Sequence, residues 1–209
     1  MCFSATASFA ASGGLAVVGV ASYQTANKKQ KMLALIPILF AIQQAIEGFQ
    51  WVSLGRGSSN LFLAYGFLFF AFLLWPIYIP WVVKQFDEKN TRVMRWFVGA
   101  GIGASLFLLG DLLFFPLDVV IYNQCIQYDV YVPFQRFWAV LYVSIVCGSM
   151  IVSSIRAFRL LGVFVFVSAA FSAYMYLGAF TSVWCFFAAL LSVGIFYFIK
   201  EQNRKKKLL

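Results

Sequence analysis

Residues 160–199 run for 40 positions without one charged side chain, and that single feature removes most soluble folds from consideration. About 20 apolar residues suffice to cross a bilayer core of roughly 30 Å, so this stretch holds two crossings. Inside hydrocarbon every backbone N–H and C=O must be satisfied within the chain, which leaves helices or closed barrels. The run has no polar-apolar alternation, so it selects helices. The Leu177-Gly178-Ala179-Phe180-Thr181-Ser182 stretch is the soft point, and it predicts a tight turn between the two.

The rest of the chain repeats the pattern. With 63% hydrophobic and only 11% charged residues, five earlier apolar segments are predicted at 3–22, 32–54, 61–83, 96–115 and 136–155. The expected fold is an all-α polytopic membrane protein of seven transmembrane helices, one domain over 1–199, with a basic tail at 200–209. Trp75-Pro76 and Pro80 predict a bend in the third span. Small residues in the first span, Ser8, Ser12, Gly13 and Ala16, favour close helix packing, and Gly99 with Gly103 make a GxxxG contact face. Residues 116–135 are expected to form a loop lying on the outer interface.

The net charge is +9, which in a soluble chain would suggest nucleic acid. Here the basic residues punctuate apolar segments and record orientation instead. With seven spans and the N-terminus outside, every one of the 16 Lys and Arg residues except Arg56 and Arg136 falls on the inner side. The expected topology is therefore N-terminus outside and C-terminus cytoplasmic. On the outer side Arg56 and Arg136 could steer an anion, but pairing with Asp118 and Asp129 is the plainer expectation, and Trp51, Trp138 and Trp184 are expected to sit in an aromatic belt.

The chain contains no His, which excludes imidazole-ligated metals, His general bases and Ser-His or Cys-His nucleophiles. The cysteines, Cys2, Cys125, Cys147 and Cys185, lack CxxC spacing, so zinc-ribbon and thioredoxin chemistry is unsupported.

Chemistry concentrates in the second span. Gln43, Glu47 and Gln50 recur at i, i+4 and i+7, one polar stripe on an apolar helix, with Gln44 beside it. A carboxyl in such a segment costs about 2.5–3.5 kcal/mol on insertion scales and marks a functional site by default; interhelical hydrogen bonding alone is the plainer role. Asp111 lies as far into its span as Glu47 does in its own, so at ~1.5 Å per residue the two carboxyls share one depth, in the outer half. Cys2 and Cys185 enter the same layer. Depth does not fix rotation, and three chemistries stay open: carboxyls with separated proton affinities, a thiolate–carboxylate metal site of ambiguous identity, or a disulfide of Cys2 with Cys125 or Cys185. Free buried thiols are the alternative. Removal of Met1 would leave Cys2 with a free amine and thiol, a potential nucleophile.

The blocks Met1-Cys2-Phe3-Ser4-Ala5-Thr6-Ala7-Ser8-Phe9, Phe40-Ala41-Ile42-Gln43-Gln44-Ala45-Ile46-Glu47-Gly48 and Ser182-Val183-Trp184-Cys185-Phe186-Phe187-Ala188-Ala189 resemble an uncharacterised bacterial family of multi-pass membrane proteins. The resemblance implies an integral protein of the bacterial cytoplasmic membrane and no established activity. It also implies a histidine near the end of the last span, where this chain has Tyr197-Phe198-Ile199-Lys200. Seven spans alone also suggest rhodopsins or alkaline-ceramidase-like hydrolases; no lysine lies within the last span and no histidine is present for zinc, so both are disfavoured.

The expected function is binding or transport of a small ligand or ion through a polar pocket lined by Cys2, Gln43, Gln44, Glu47, Gln50, Asp111 and Cys185, with Glu47 as the charged or proton-exchanging group. An intramembrane enzyme using Cys2 or the carboxyls on a lipid-like substrate, and a purely structural membrane partner, are the alternatives. No catalytic residue, cofactor or metal is assigned. Membrane lipids and a small molecule or ion are the expected partners, nucleic acid is not, and oligomeric state is left open.

Overall fold

The computed structural model describes residues 4–207. Helix α1 (Ala5–Thr25) begins where the Ser4 side chain accepts a hydrogen bond from the Ala7 N–H, 3.2 Å, a standard N-cap. It returns antiparallel against α2 (Lys31–Gly55). The two backbones approach closely because Gly19 has no side chain: a Cβ there would lie 2.5 Å from Ile38 Cγ1. Farther along, Ser12 Oγ donates to the Ala41 carbonyl at 2.8 Å.

The third rod is built from α3 (Leu61–Leu68), a π-helical turn over Phe69–Leu74, and α4 (Trp75–Phe86). The expected bend has a definite cause. The Trp75 N–H reaches back five residues to the Phe70 carbonyl, and Pro76 has no N–H to offer. The Ala71 carbonyl is thereby left without a helical donor, and the Tyr142 hydroxyl takes it. Such π-turns recur at functional sites.

Helix α5 (Thr91–Phe114) packs on α4, but not through the expected glycines. Gly99 and Gly103 have open space around them, whereas a Cβ on Gly101 would sit 2.0 Å from the Pro76 carbonyl oxygen. Two residues along a helix is about half a turn, so Gly101 faces away from the GxxxG pair. The pattern was present; the contact uses the residue in its middle.

Residues 116–135 are not a loop. They form a hairpin of β1 (Leu117–Tyr122) and β2 (Cys125–Val130), antiparallel, with Leu117 opposite Val130 and Tyr122 opposite Cys125. The two-residue turn Asn123-Gln124 has positive φ at both positions, 48° and 59°, as a twisted hairpin requires. Buried Leu117 and Val119 alternate with exposed Asp118 and Val120, and the inner face packs on Phe67, Leu112 and Cys185. Tyr128 stacks on Phe67 with ring centroids 4.6 Å apart.

Helices α6 (Gln135–Ile151) and α7 (Arg156–Met175) follow, then a 3-10 turn (Leu177–Ala179), α8 (Phe180–Leu191) and α9 (Gly194–Lys207). The break between the last two rods falls where the soft point predicted it. The final rod, expected as one helix, is interrupted again at Ser192-Val193. Among the described residues six helices are long and apolar enough to cross a membrane, and the 17 residues of α6 form a shorter apolar one. Their outer faces carry exposed apolar side chains such as Val17, Phe62, Phe164 and Val167. In water such a surface would be untenable; facing lipid it is the solvated one. This is an all-α membrane protein with one small hairpin.

One end of the bundle carries the hairpin. The other carries most of the basic residues and is tied by polar contacts: Gln30 Nε2 donates to Gln202 Oε1 (2.9 Å), Asn203 Nδ2 to the Thr25 carbonyl (2.8 Å), and Lys29 pairs with Glu88 (2.7 Å). Asp87 is the hub. Its carboxylate accepts from Ser153 Oγ (2.9 Å), Ser154 N (2.6 Å), Ser154 Oγ (2.7 Å) and Asn90 N (3.2 Å), joining the α4–α5 and α6–α7 turns. Burial alone would raise its proton affinity, but these donors outweigh it and hold the carboxyl below its ordinary value.

Candidate functional site

The polar stripe of α2 is buried as a unit: Gln43, Gln44, Glu47 and Gln50 are all without solvent exposure. Because the i, i+4, i+7 spacing holds them on one face, the neighbouring rods decide their partners. Glu47 Oε1 accepts from the Ser182 hydroxyl on α8, and Glu47 Oε2 accepts from Gln44 Nε2 at 3.3 Å. Gln43 Oε1 accepts from Trp75 Nε1 at 2.8 Å. Trp75 is the first residue of α4 after the π-turn and stacks on Phe40, centroids 4.0 Å apart. The π-turn therefore sets the phase that aims the indole at α2.

Cys185 lies one helical turn beyond Ser182, beside Gln43 and within the electrostatic reach of Glu47. Cys125, at the start of β2, is also near the carboxylate; burial, with Glu47 adding to it, pushes the Cys125 thiol up to about 11. Cys125, Cys147 and Cys185 are free thiols. Cys2 lies outside the described residues, so its pairing and its place in the pocket do too. Among the described residues no group of three or more His, Cys, Asp or Glu side chains is arranged to hold a metal.

The cluster is under-satisfied. Among the described residues, Gln44 Oε1 and both amide atoms of Gln50 find no hydrogen-bond partner, and neither does Ser8 Oγ, while Gln43 Nε2 has only the Cys185 sulfur beside it. Ser8 precedes Phe9, whose ring lies against Gly48, and so stands at the Glu47 level on α1. Most buried polar atoms in proteins are paired, and an unpaired one costs about 1–3 kcal/mol.

Asp111 is buried on α5, but no hydrogen bond among the described residues links it to the Glu47 cluster, and its Oδ2 is unpartnered. The expected ion pairs of Arg56 and Arg136 with Asp118 and Asp129 are not formed among the described residues, where the ion pairs are Lys29–Glu88, Arg204–Glu201 and Lys205–Glu201. In the hairpin register Asp118 stands opposite Asp129, so those acids face one another. Trp184 departs from the expected belt: it is buried, with Nε1 donating to the Val165 carbonyl at 3.1 Å.

Two cavities adjoin the cluster. One of about 60 Å³ runs through the centre of the bundle, and one of about 120 Å³ lies under the hairpin; Tyr142, Trp184 and Cys185 border both. Ser182 and Trp75, the partners of the stripe, carry no periodic signal in the sequence.

The model of a family of unknown function, DUF6629, matches residues 1–208. The chain belongs to that family. No curated protein and no solved structure matches it. Membership in DUF6629 agrees with the uncharacterised family inferred from the three blocks, and it assigns no activity.

Proposed function

We propose that the protein binds or moves a small ligand or ion within the membrane, with Glu47 as its proton-exchanging group. The observation that carries this is the imbalance at Glu47. Polar residues that serve only to hold helices together are expected to satisfy one another. Among the described residues the carboxyl takes two hydrogen bonds, while Gln44 and Gln50 around it leave donors and acceptors unmet. Such a set suits a guest, or a proton, that completes it. The full topology is part of this reading: seven crossings in the bacterial cytoplasmic membrane, N-terminus outside, with the site in the outer half. Its support is the clustering of Lys and Arg at the end opposite the hairpin.

The test is infrared titration of the protein in lipid. A carboxyl band that changes reversibly with bulk pH, lost in Glu47→Gln and kept in Asp111→Asn, is expected. A Glu47 carboxyl that does not respond to pH while Asp111 does would overturn the assignment.

A further inference from the structure

A groove of about 530 Å³ lies between α7 and the last rod, and the break at Ser192-Val193 makes it. Helix α8 packs along α7, but past the break α9 packs on α1 and α2 instead, so the two rods part. The break is hydrogen-bonded: Ser192 Oγ donates to the Ala189 carbonyl at 2.6 Å. Gly194 then has open space where a side chain would lie. Leu160, Leu161 and Phe164 form one side of the groove, and Leu190, Gly194 and Ile195 the other. Phe158 and Phe198 also line it, ring centroids 5.5 Å apart, and Phe86 backs them at 5.6 and 6.4 Å.

The groove opens toward lipid, since Leu160 and Phe164 are 51% and 59% exposed. Its volume falls in the range of about 300–1,000 Å³ usual for ligand sites, and well above the roughly 150 Å³ that holds one benzene. An apolar groove at the bilayer face takes hydrocarbon, and the charges at its end select the head group. Glu201, about one turn past Phe198, lines that end. It pairs with Arg204 at 3.0 Å and Lys205 at 3.5 Å, and the three side chains are 44%, 71% and 71% exposed. Ion pairs this exposed hold weakly and exchange partners. A carboxylate has acceptor sites beyond those two donors, and the guanidinium and ammonium keep donors of their own.

We propose that this groove holds one phospholipid with a zwitterionic, primary-amine head, its acyl chain between α7 and α9, its ammonium on Glu201 and its phosphate on Arg204 and Lys205. Charge complementarity selects this head. A purely anionic one would leave Glu201 facing like charge, and a choline head has no N–H to donate to the carboxylate. The site is separate from Glu47 and does not depend on the function proposed above.

The experiment uses the full protein in phosphatidylcholine liposomes holding a trace of phosphatidylethanolamine with a diazirine in its acyl chain. After illumination, groove residues such as Leu161, Gly194 and Ile195 are expected to be labelled more strongly than Leu106 and Leu113, which face outward from α5. Added unlabelled phosphatidylethanolamine should cut groove labelling roughly ten-fold, whereas the same amount of phosphatidylglycerol should not. Glu201→Gln should abolish that selectivity and leave labelling at Leu106 and Leu113 unchanged.

Labelling no stronger in the groove than at Leu106 and Leu113 would overturn the proposal, and the unmodified protein alone decides that point. Displacement by phosphatidylglycerol as effective as by phosphatidylethanolamine, or selectivity that survives Glu201→Gln, would overturn the head-group assignment.

Discussion

Asp87 and Glu47 are both buried carboxyls, and they are finished in opposite ways. Asp87, at the basic end, accepts four hydrogen bonds from two turns. Glu47, inside the bundle, accepts one from Ser182 and one from Gln44, among amides with unmet atoms. The first looks like a joint and the second like a site, because structural polar groups are satisfied and functional ones trade stability for chemistry. The contrast also shows why burial alone is a poor guide to function.

The sharpest way to break the comparison is to remove the joint. Asp87→Ala leaves the Ser153 and Ser154 donors unmet and is expected to lower stability by about 3 kcal/mol, read as a fall of several degrees in the unfolding midpoint. An unchanged midpoint would put Asp87 on the same footing as Glu47. The pH dependence has a definite sign: a carboxyl held below its ordinary value of 3.8 contributes stability above that pH and loses it as pH falls further. Acid unfolding of the wild type should therefore steepen below about pH 4 relative to Asp87→Asn.

Glu47→Gln should behave differently. A glutamine still accepts from Ser182, and its new N–H groups can reach the unmet Gln44 Oε1, so stability should stay level or rise by up to about 1 kcal/mol. Loss of the titrating carboxyl band would accompany it. A clear loss of stability instead would make Glu47 a second joint. The smallest effect belongs to Lys29→Ala: its partner Glu88 is 81% exposed, and at high salt the unfolding midpoint should not move measurably.

Much of the site's own helix could be read in advance. Spacing put Gln43, Glu47 and Gln50 on one face, and all three are buried there. Equal depth puts Cys185 in the layer of Glu47, and the two lie within electrostatic reach; for Asp111 depth alone fixes no partner, because it says nothing of rotation about the bundle axis. Ser182 lies 135 residues from Glu47, and a serine in an apolar span carries no periodic signal. The hairpin did leave a trace, an alternating run around Asn123-Gln124, which the high apolar content of the flanking spans obscured.

The sequence by itself determined the solvent. Uncharged runs long enough to cross a bilayer, and basic residues gathered between and after them, specify a helical membrane protein and the end at which its charges collect. Those are properties of composition along one dimension. Only the tertiary structure decided which polar groups meet. Helix rotation, the π-turn that aims Trp75 and frees Ala71, and the approach of Gly101 to Pro76 are consequences of packing, where one residue of phase turns a side chain by about 100°. That phase gives Glu47 the Ser182 hydroxyl.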